Sequence, residues 1–263
     1  MNTSRYLDDL RANLLSPREG DWNRAECIAA IQWEIRMSPH FLLHSYCDLP
    51  AEAVVDQSFI DALEQMHVEL TAFLSLSAHT KRERISLETT FTCFILQTNA
   101  SRQFGEILSP NVLFYVMNPT IGSLHSEFHM GRFRHELAHL LWGQAYGEAP
   151  PLFMEGLAEY AGYRGVADEL TVPVMATLTE VPPLTDIVLA DDYWKHGEWS
   201  DRYRASGAWV QYLVERWGWE KLKALFLLTE YADTQIRDHF AQVYAQELET
   251  VEADWRDGVM MTS

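Results

Sequence analysis

His135 and His139 stand four residues apart, with Glu136 directly after the first, in the run His135-Glu136-Leu137-Ala138-His139. On an α-helix that spacing puts both imidazoles on one face, one turn apart, where they address a single ion. Neutral imidazole is the commonest protein ligand for a transition metal, and a carboxylate beside the pair is placed to take a proton from a nearby water. Chance yields such a match in roughly one chain in 30, so the motif alone decides nothing. The plain alternative is an exposed helix with two ordinary histidines. Context argues against that alternative. Phe133, Leu137, Leu140 and Leu141 form an apolar stripe that buries the helix, and buried polar groups are costly unless paired or metal-bound.

A metal site of this kind needs a third ligand. Glu155 lies 16 residues past His139, and Gly147 and Pro150-Pro151 between them make a turn that folds two helices into a hairpin. Two His and one Glu suit Zn²⁺ and leave a fourth position for water, the pattern of a catalytic site; a structural zinc normally takes four protein ligands.

These residues depend on the elements that carry them. A helix is predicted from about Ser126 to Tyr146, stopped by Gly147, and a second one opened by Pro151 and carrying Glu155 to Tyr163. Upstream, Asp21 to Met37 and Asp56 to Leu76 show helical stripes, the second through Phe59, Leu63, Met66, Leu70 and Phe73. Residues 1–80 therefore read as an N-terminal helical region, with Ser77 to Arg84 as linker. Ile85 to Leu96 and Val112 to Met117 have the β-branched and aromatic composition of strands. An edge strand near Asn111 to Asn118 would suit pairing with an extended peptide. Helical pattern returns over Asp201 to Trp217, Glu220 to Tyr231 and Asp233 to Trp255. The predicted fold is α+β, mostly helical, with a small mixed or antiparallel sheet packed on the helix of His135 and His139 and a helical C-terminal part.

The two site helices also carry a resemblance. His135-Glu136-Leu137-Ala138-His139 followed by Phe153-Met154-Glu155-Gly156-Leu157-Ala158-Glu159-Tyr160 resembles the gluzincin metallopeptidases, particularly the peptidase MA-like families. Tyr203 to Gly218 with Glu220-Lys221-Leu222 is similar to the helix those families carry after the site, and Leu248 to Arg256 to their closing helix. The likeness runs from about residue 85 to 258, so residues 81–263 read as a gluzincin-like domain. It implies a zinc-dependent peptidase that hydrolyses peptide or protein substrates through a zinc-activated water, with Glu136 as general base. It makes Glu155 the third metal ligand and puts Glu159 where an acidic residue supports a ligating imidazole. The reverse assignment, Glu159 ligating and Glu155 supporting, stays open, because other gluzincins place the ligand about 20 residues after the second His. Tyr203 is the candidate donor to the developing oxyanion, with His196 as runner-up.

Other readings compete. A non-catalytic interaction module could keep this fold, with the metal as a staple or absent, although such a module has no need of Glu136. His125 with His129, and His40 with His44, repeat the four-residue spacing but lack an adjacent base and a third ligand at hairpin distance. Trp142 and Ala145 stand where a metzincin requires Gly and His. Peptide deformylases add an upstream Cys ligand, and Cys93 in Thr92-Cys93-Phe94-Ile95 sits in strand-like context instead. Cys27, Cys47 and Cys93 fit no disulfide framework. No GxMEN-like segment points to recognition of a free amino terminus. A formal charge of -18 repels phosphate backbones and anionic lipid, which speaks against nucleic-acid and membrane partners. The acidic start and the lack of a long apolar run set the cytoplasm as the expected compartment.

Overall fold

Asp56 starts the first helix by accepting a hydrogen bond from the backbone N–H of Phe59 at 2.9 Å, a cap for one of the donors that a helix start leaves unpaired. The helix, α1 (Gln57–Phe73), then buries Phe59, Leu63, Met66 and Leu70, the stripe its sequence announces. The computed structural model describes residues 33–46, 55–76, 91–97, 104–109, 112–117, 124–162, 182–195 and 199–261. The chain separates into two compact units, Met1–Gln65 with Glu88–Met130 and Met66–Leu87 with Gly131–Ser263.

The first unit holds a five-stranded sheet of β1 (Trp33–Met37), β2 (Phe41–Tyr46), β3 (Phe91–Gln97), β4 (Phe104–Ser109) and β5 (Val112–Met117), in the order β1-β2-β3-β5-β4. β2, β3 and β5 run parallel, and β1 and β4 pair antiparallel at the two edges. This corrects the all-helical reading of residues 1–80. Trp33, Ile35 and Met37 alternate with Glu34 and Arg36, a period of two that overlaps a helical stripe over so short a run. Pairing of β2 with the distant β3 settles which period wins. The expected edge strand at 111–118 is also corrected, since β5 is hydrogen-bonded on both sides. Residues 21–32 and 85–90 lie outside the described residues.

Glu64 of α1 ties the β1–β2 turn down. Its carboxylate accepts from the Ser38 hydroxyl at 2.5 Å, the His40 N–H at 2.9 Å and His40 Nδ1 at 2.6 Å.

Helices dominate the rest: α2 (Glu127–Tyr146), α3 (Pro151–Gly162), α4 (Ala190–Tyr193), α5 (Trp199–Trp217), α6 (Trp219–Leu228), α7 (Ile236–Tyr244) and α8 (Leu248–Met261). Gly147 ends α2 with φ 88°, a conformation that costs glycine nothing. The predicted single helix over 233–255 is two helices, because Ala245 turns left-handed at φ 56° and ends α7. An aromatic cluster joins α3, α5, α7 and α8, with Trp209 packed on Phe240 at 6.3 Å and on Trp255 at 5.5 Å, and Phe153 against Phe240 at 6.3 Å. Among the described residues no helix is long and apolar enough to cross a membrane. The fold is α+β and mostly helical.

Candidate metal centre

The second unit places α2 and α3 as the hairpin that the turn residues require. Pro150 accepts the Phe153 N–H at 2.9 Å to start α3, and Arg134 Nη1 on α2 reaches the Gly162 carbonyl at the end of α3 at 3.3 Å. The hairpin brings Glu155 back to the two imidazoles.

Nε2 of His135 and Nε2 of His139 each lie 3.3 Å from the same oxygen, Oε2 of Glu155. These three are the only such cluster of potential ligands among the described residues, with their donor atoms all within 4.8 Å of one another. Donor atoms on a tetrahedral shell at zinc's usual bond lengths of about 2.0–2.1 Å stand about 3.3–3.4 Å apart. Two nitrogen lone pairs aimed at one carboxylate oxygen repel unless a cation or protons lie among them. The residues present therefore fit the ion.

The far side of His135 is held as well, with Nδ1 3.1 Å from Oε2 of Glu159, an arrangement in which the ring N–H donates to the carboxylate and Nε2 is the nitrogen turned toward Glu155. Glu155 thus faces both imidazoles at their converging edge, and Glu159 faces one imidazole at its opposite edge. Without metal the electrostatics follow from these contacts. Burial lowers the His135 imidazole, but the hydrogen bonds to Glu155 and Glu159 outweigh it and push it up to about 10. Burial raises the Glu155 carboxyl, and His139 and His135 more than reverse this, holding it well below the usual carboxylate range. Glu136 is buried at 8% exposure beside the cluster without joining it, and burial raises its carboxyl.

Tyr203, in the second turn of α5, stacks on His135 with ring centroids 5.9 Å apart and 23° between planes. Two glycines allow α5 to come this close to α3. A Cβ at Gly156 would run into the Ser206 carbonyl, and one at Gly207 would stand 3.1 Å from Cβ and Cγ of Glu159. Tyr193 of α4 also meets the Tyr203 ring, with centroids 6.4 Å apart. Burial and the charge of Glu155 raise the hydroxyls of both tyrosines, so each stays protonated and able to donate. His196 lies outside the described residues, as do Cys27 and Cys47. Cys93 falls within β3. Of the other histidine pairs, His125 precedes α2 and sits 3.4 Å from Asp56 Oδ1, while His40 and His44 belong to the turn and strand of β2. Helical spacing applies to neither pair.

The sequence reading missed Tyr193, Gly156 and Gly207 as site builders. The runs Glu155-Gly156-Leu157-Ala158 and Ala205-Ser206-Gly207-Ala208 carry a signal for the glycines, since small residues on two helices allow close approach. Tyr193 follows a stretch without periodicity and gives none.

Residues 110–261, more than half of the chain, match the family model of the Peptidase MA superfamily. The chain belongs to the Peptidase MA superfamily. Among solved structures it is similar to the crystal structure of an M1 zinc metallopeptidase from Deinococcus radiodurans, with a TM-score of 0.54 and 16% identity, over 86% of this chain and 52% of that one. At that identity the likeness shows the fold, and the chain spans about half the length of the protein it matches. No curated protein matches it in sequence. Among the described residues, His135, His139 and Glu155 are the group whose donor atoms could hold a metal ion.

Proposed function

We propose that this member of the Peptidase MA superfamily is a zinc-dependent peptidase in which His135, His139 and Glu155 hold the ion and Glu136 is the general base. The observation that carries the reading is the convergence of both Nε2 atoms on Glu155 Oε2 at 3.3 Å, with the buried carboxylate of Glu136 beside the cluster and outside it. A structural zinc would be expected to draw a fourth protein ligand and would have no use for that carboxylate.

Zinc, when bound here, supplies Lewis acidity and lowers the pKa of water toward about 7. Glu136 takes a proton from the attacking water at its carboxylate and returns it to the leaving amine. Its burial raises its proton affinity and so favours the first of these transfers. Glu159 holds His135 by Nδ1 and fixes its tautomer and ring plane. The hydroxyl of Tyr203 donates to the oxyanion that develops on the scissile carbonyl, from a ring already braced against His135. The substrate is a peptide or protein segment.

The test is metal analysis after reconstitution, combined with cleavage of a quenched fluorescent peptide library by the full chain. The reading expects one zinc per chain and cleavage that Glu136→Gln removes. Stoichiometric zinc with no cleavage at all would favour a non-catalytic interaction module on this fold. Absence of bound zinc would end the proposal.

A further inference from the structure

Residues 182–195 cross the second unit as a strap, and side chains of α7 and α8 hold its beginning by its backbone. The Glu252 carboxylate, buried on α8, accepts the Leu184 N–H at 2.6 Å and the Thr185 N–H at 2.9 Å. Arg256, itself bonded to Glu252 at 2.8 Å, donates to the Pro182 carbonyl at 2.9 Å, and Arg237 donates to the Thr185 carbonyl at 2.6 Å. Backbone contacts of this kind fix where a segment runs, whatever its side chains are. Ile187 and Val188 are then fully buried, and the strap ends in α4 with Tyr193, also fully buried.

Tyr193 is gripped by the turn of α5 that carries Tyr203. Ser206 Oγ donates to the Arg202 carbonyl at 2.7 Å, which uses its one hydrogen. The Tyr193 hydroxyl, 3.2 Å from the same Oγ, is therefore the donor in that contact. The Arg202 guanidinium lies over the Tyr193 ring at 5.4 Å. The Tyr203 ring thus packs against both His135 and Tyr193.

We propose that Tyr193 is a positioning residue for the Tyr203 hydroxyl, and that the Glu252–Arg256 pair on α8 sets it in place through the strap. Seen this way, the closing helix takes part in building the site that α2 and α3 hold. The proposal rests on the reading of Tyr203 as the oxyanion donor. A hydroxyl acting on a transition state must be held to within a fraction of an ångström, and small misplacements are expensive in rate.

The test uses the zinc-loaded full chain with 3-fluorotyrosine in place of tyrosine, and the Tyr203 fluorine line is the one missing from Tyr203→Phe. Tyr193→Phe and Glu252→Gln should each shift or broaden that line without changing zinc content. On the best-cleaved library peptide, Tyr193→Phe should lower kcat about tenfold at unchanged KM, and this cost should vanish in a Tyr203→Phe background. Should Glu252→Gln fold poorly, Arg237→Met removes one strap bond from an exposed side chain and serves instead. A Tyr203 line unmoved by Tyr193→Phe and by the strap variant overturns the proposal, as does a kcat cost that persists in full without the Tyr203 hydroxyl. If no library peptide is cleaved, or Tyr203→Phe keeps full kcat, the peptidase reading or Tyr203's part in it fails, while the fluorine line still decides whether the strap positions the ring.

Discussion

Histidine and carboxylate meet in two different geometries in this molecule. In the sheet unit, His40 Nδ1 meets Glu64 at 2.6 Å, and the same carboxylate takes two further hydrogen bonds from Ser38 and the His40 backbone. His239 and Asp233 repeat that contact at 2.7 Å. In the helical unit, two imidazoles converge on one Glu155 oxygen at 3.3 Å each. The short contacts are ordinary hydrogen bonds with a proton between the atoms, and they satisfy both partners. The longer ones are too open for a strong charge-assisted hydrogen bond, yet they match the edges of a zinc tetrahedron. Burial differs too, with His40 and Glu64 side chains 26% and 22% exposed against 4% for His135. Residue type alone does not distinguish a dyad from a ligand set. Convergence of two imidazoles on one oxygen does, and it marks His135, His139 and Glu155 as the candidate ligand set.

The sharpest way to break this contrast is to remove one partner from each cluster. Glu155→Ala should weaken zinc binding by well over the roughly 10–100-fold typical of supporting residues, leaving no stoichiometric metal after dialysis, whereas His40→Ala should keep one zinc per chain. Equal zinc content in the two variants would mean that the 3.3 Å cluster is no more a metal site than the 2.6 Å dyad. Next in size is Glu136→Gln, which preserves shape and removes the acceptor. Zinc and fold should persist while hydrolysis falls about 100-fold or more. Parental rates in that variant would leave Glu136 as a merely buried neighbour.

How much of this was legible in the sequence follows from the range of the forces involved. The α2–α3 hairpin was readable because its signals are local: a motif with helical spacing, a glycine that takes φ 88°, and a proline that opens the next helix. The pairing of Glu155 with both imidazoles followed from that hairpin. β1 and β2 were not readable, since Trp33–Met37 fits both periods and the deciding partner, β3, lies more than 40 residues away. The interior place of β5 has the same cause, as β4 carries a weak strand pattern of its own. Tyr193 depends on a strap fixed through its backbone by Glu252 and Arg256, and backbone hydrogen bonds leave no mark on the sequence of the segment they hold.

A smaller effect distinguishes the clusters by pH. With its imidazole pushed up to about 10, His135 holds its proton at neutral pH in the metal-free protein. This raised value contributes stability that is complete below the unfolded value of 6.5 and is lost as pH rises through about 10. Zinc needs the neutral imidazole, so metal must displace that proton. Calorimetric titration at pH 7 in buffers of different ionisation heat should find about one proton released per zinc, and affinity should rise about tenfold per pH unit below that value. Binding with no proton release would show that His135 is already neutral in the metal-free protein or that the metal does not engage it.

The smallest expected effect belongs to the sheet unit. Burial raises the Glu64 carboxyl, but the hydrogen bonds from His40 and Ser38 outweigh it and lower its pKa. Its contribution is therefore present above the ordinary carboxylate value of 4.5 and fades as pH falls through the lowered one. Glu64→Gln keeps the shape and removes the charge, which weakens three contacts without abolishing them. Discounted for a side chain that water still reaches, the loss should be about 1 kcal/mol at pH 7, and the difference from the parent should shrink toward pH 3. Denaturant melts at the two pH values measure this, and metal analysis of the folded variant at pH 7 should return the parent's zinc content. Were Glu64→Gln to lose its zinc while still folded, the dyad and the ligand set would be coupled, and the contrast between a tie for a turn and a holder for an ion would not stand.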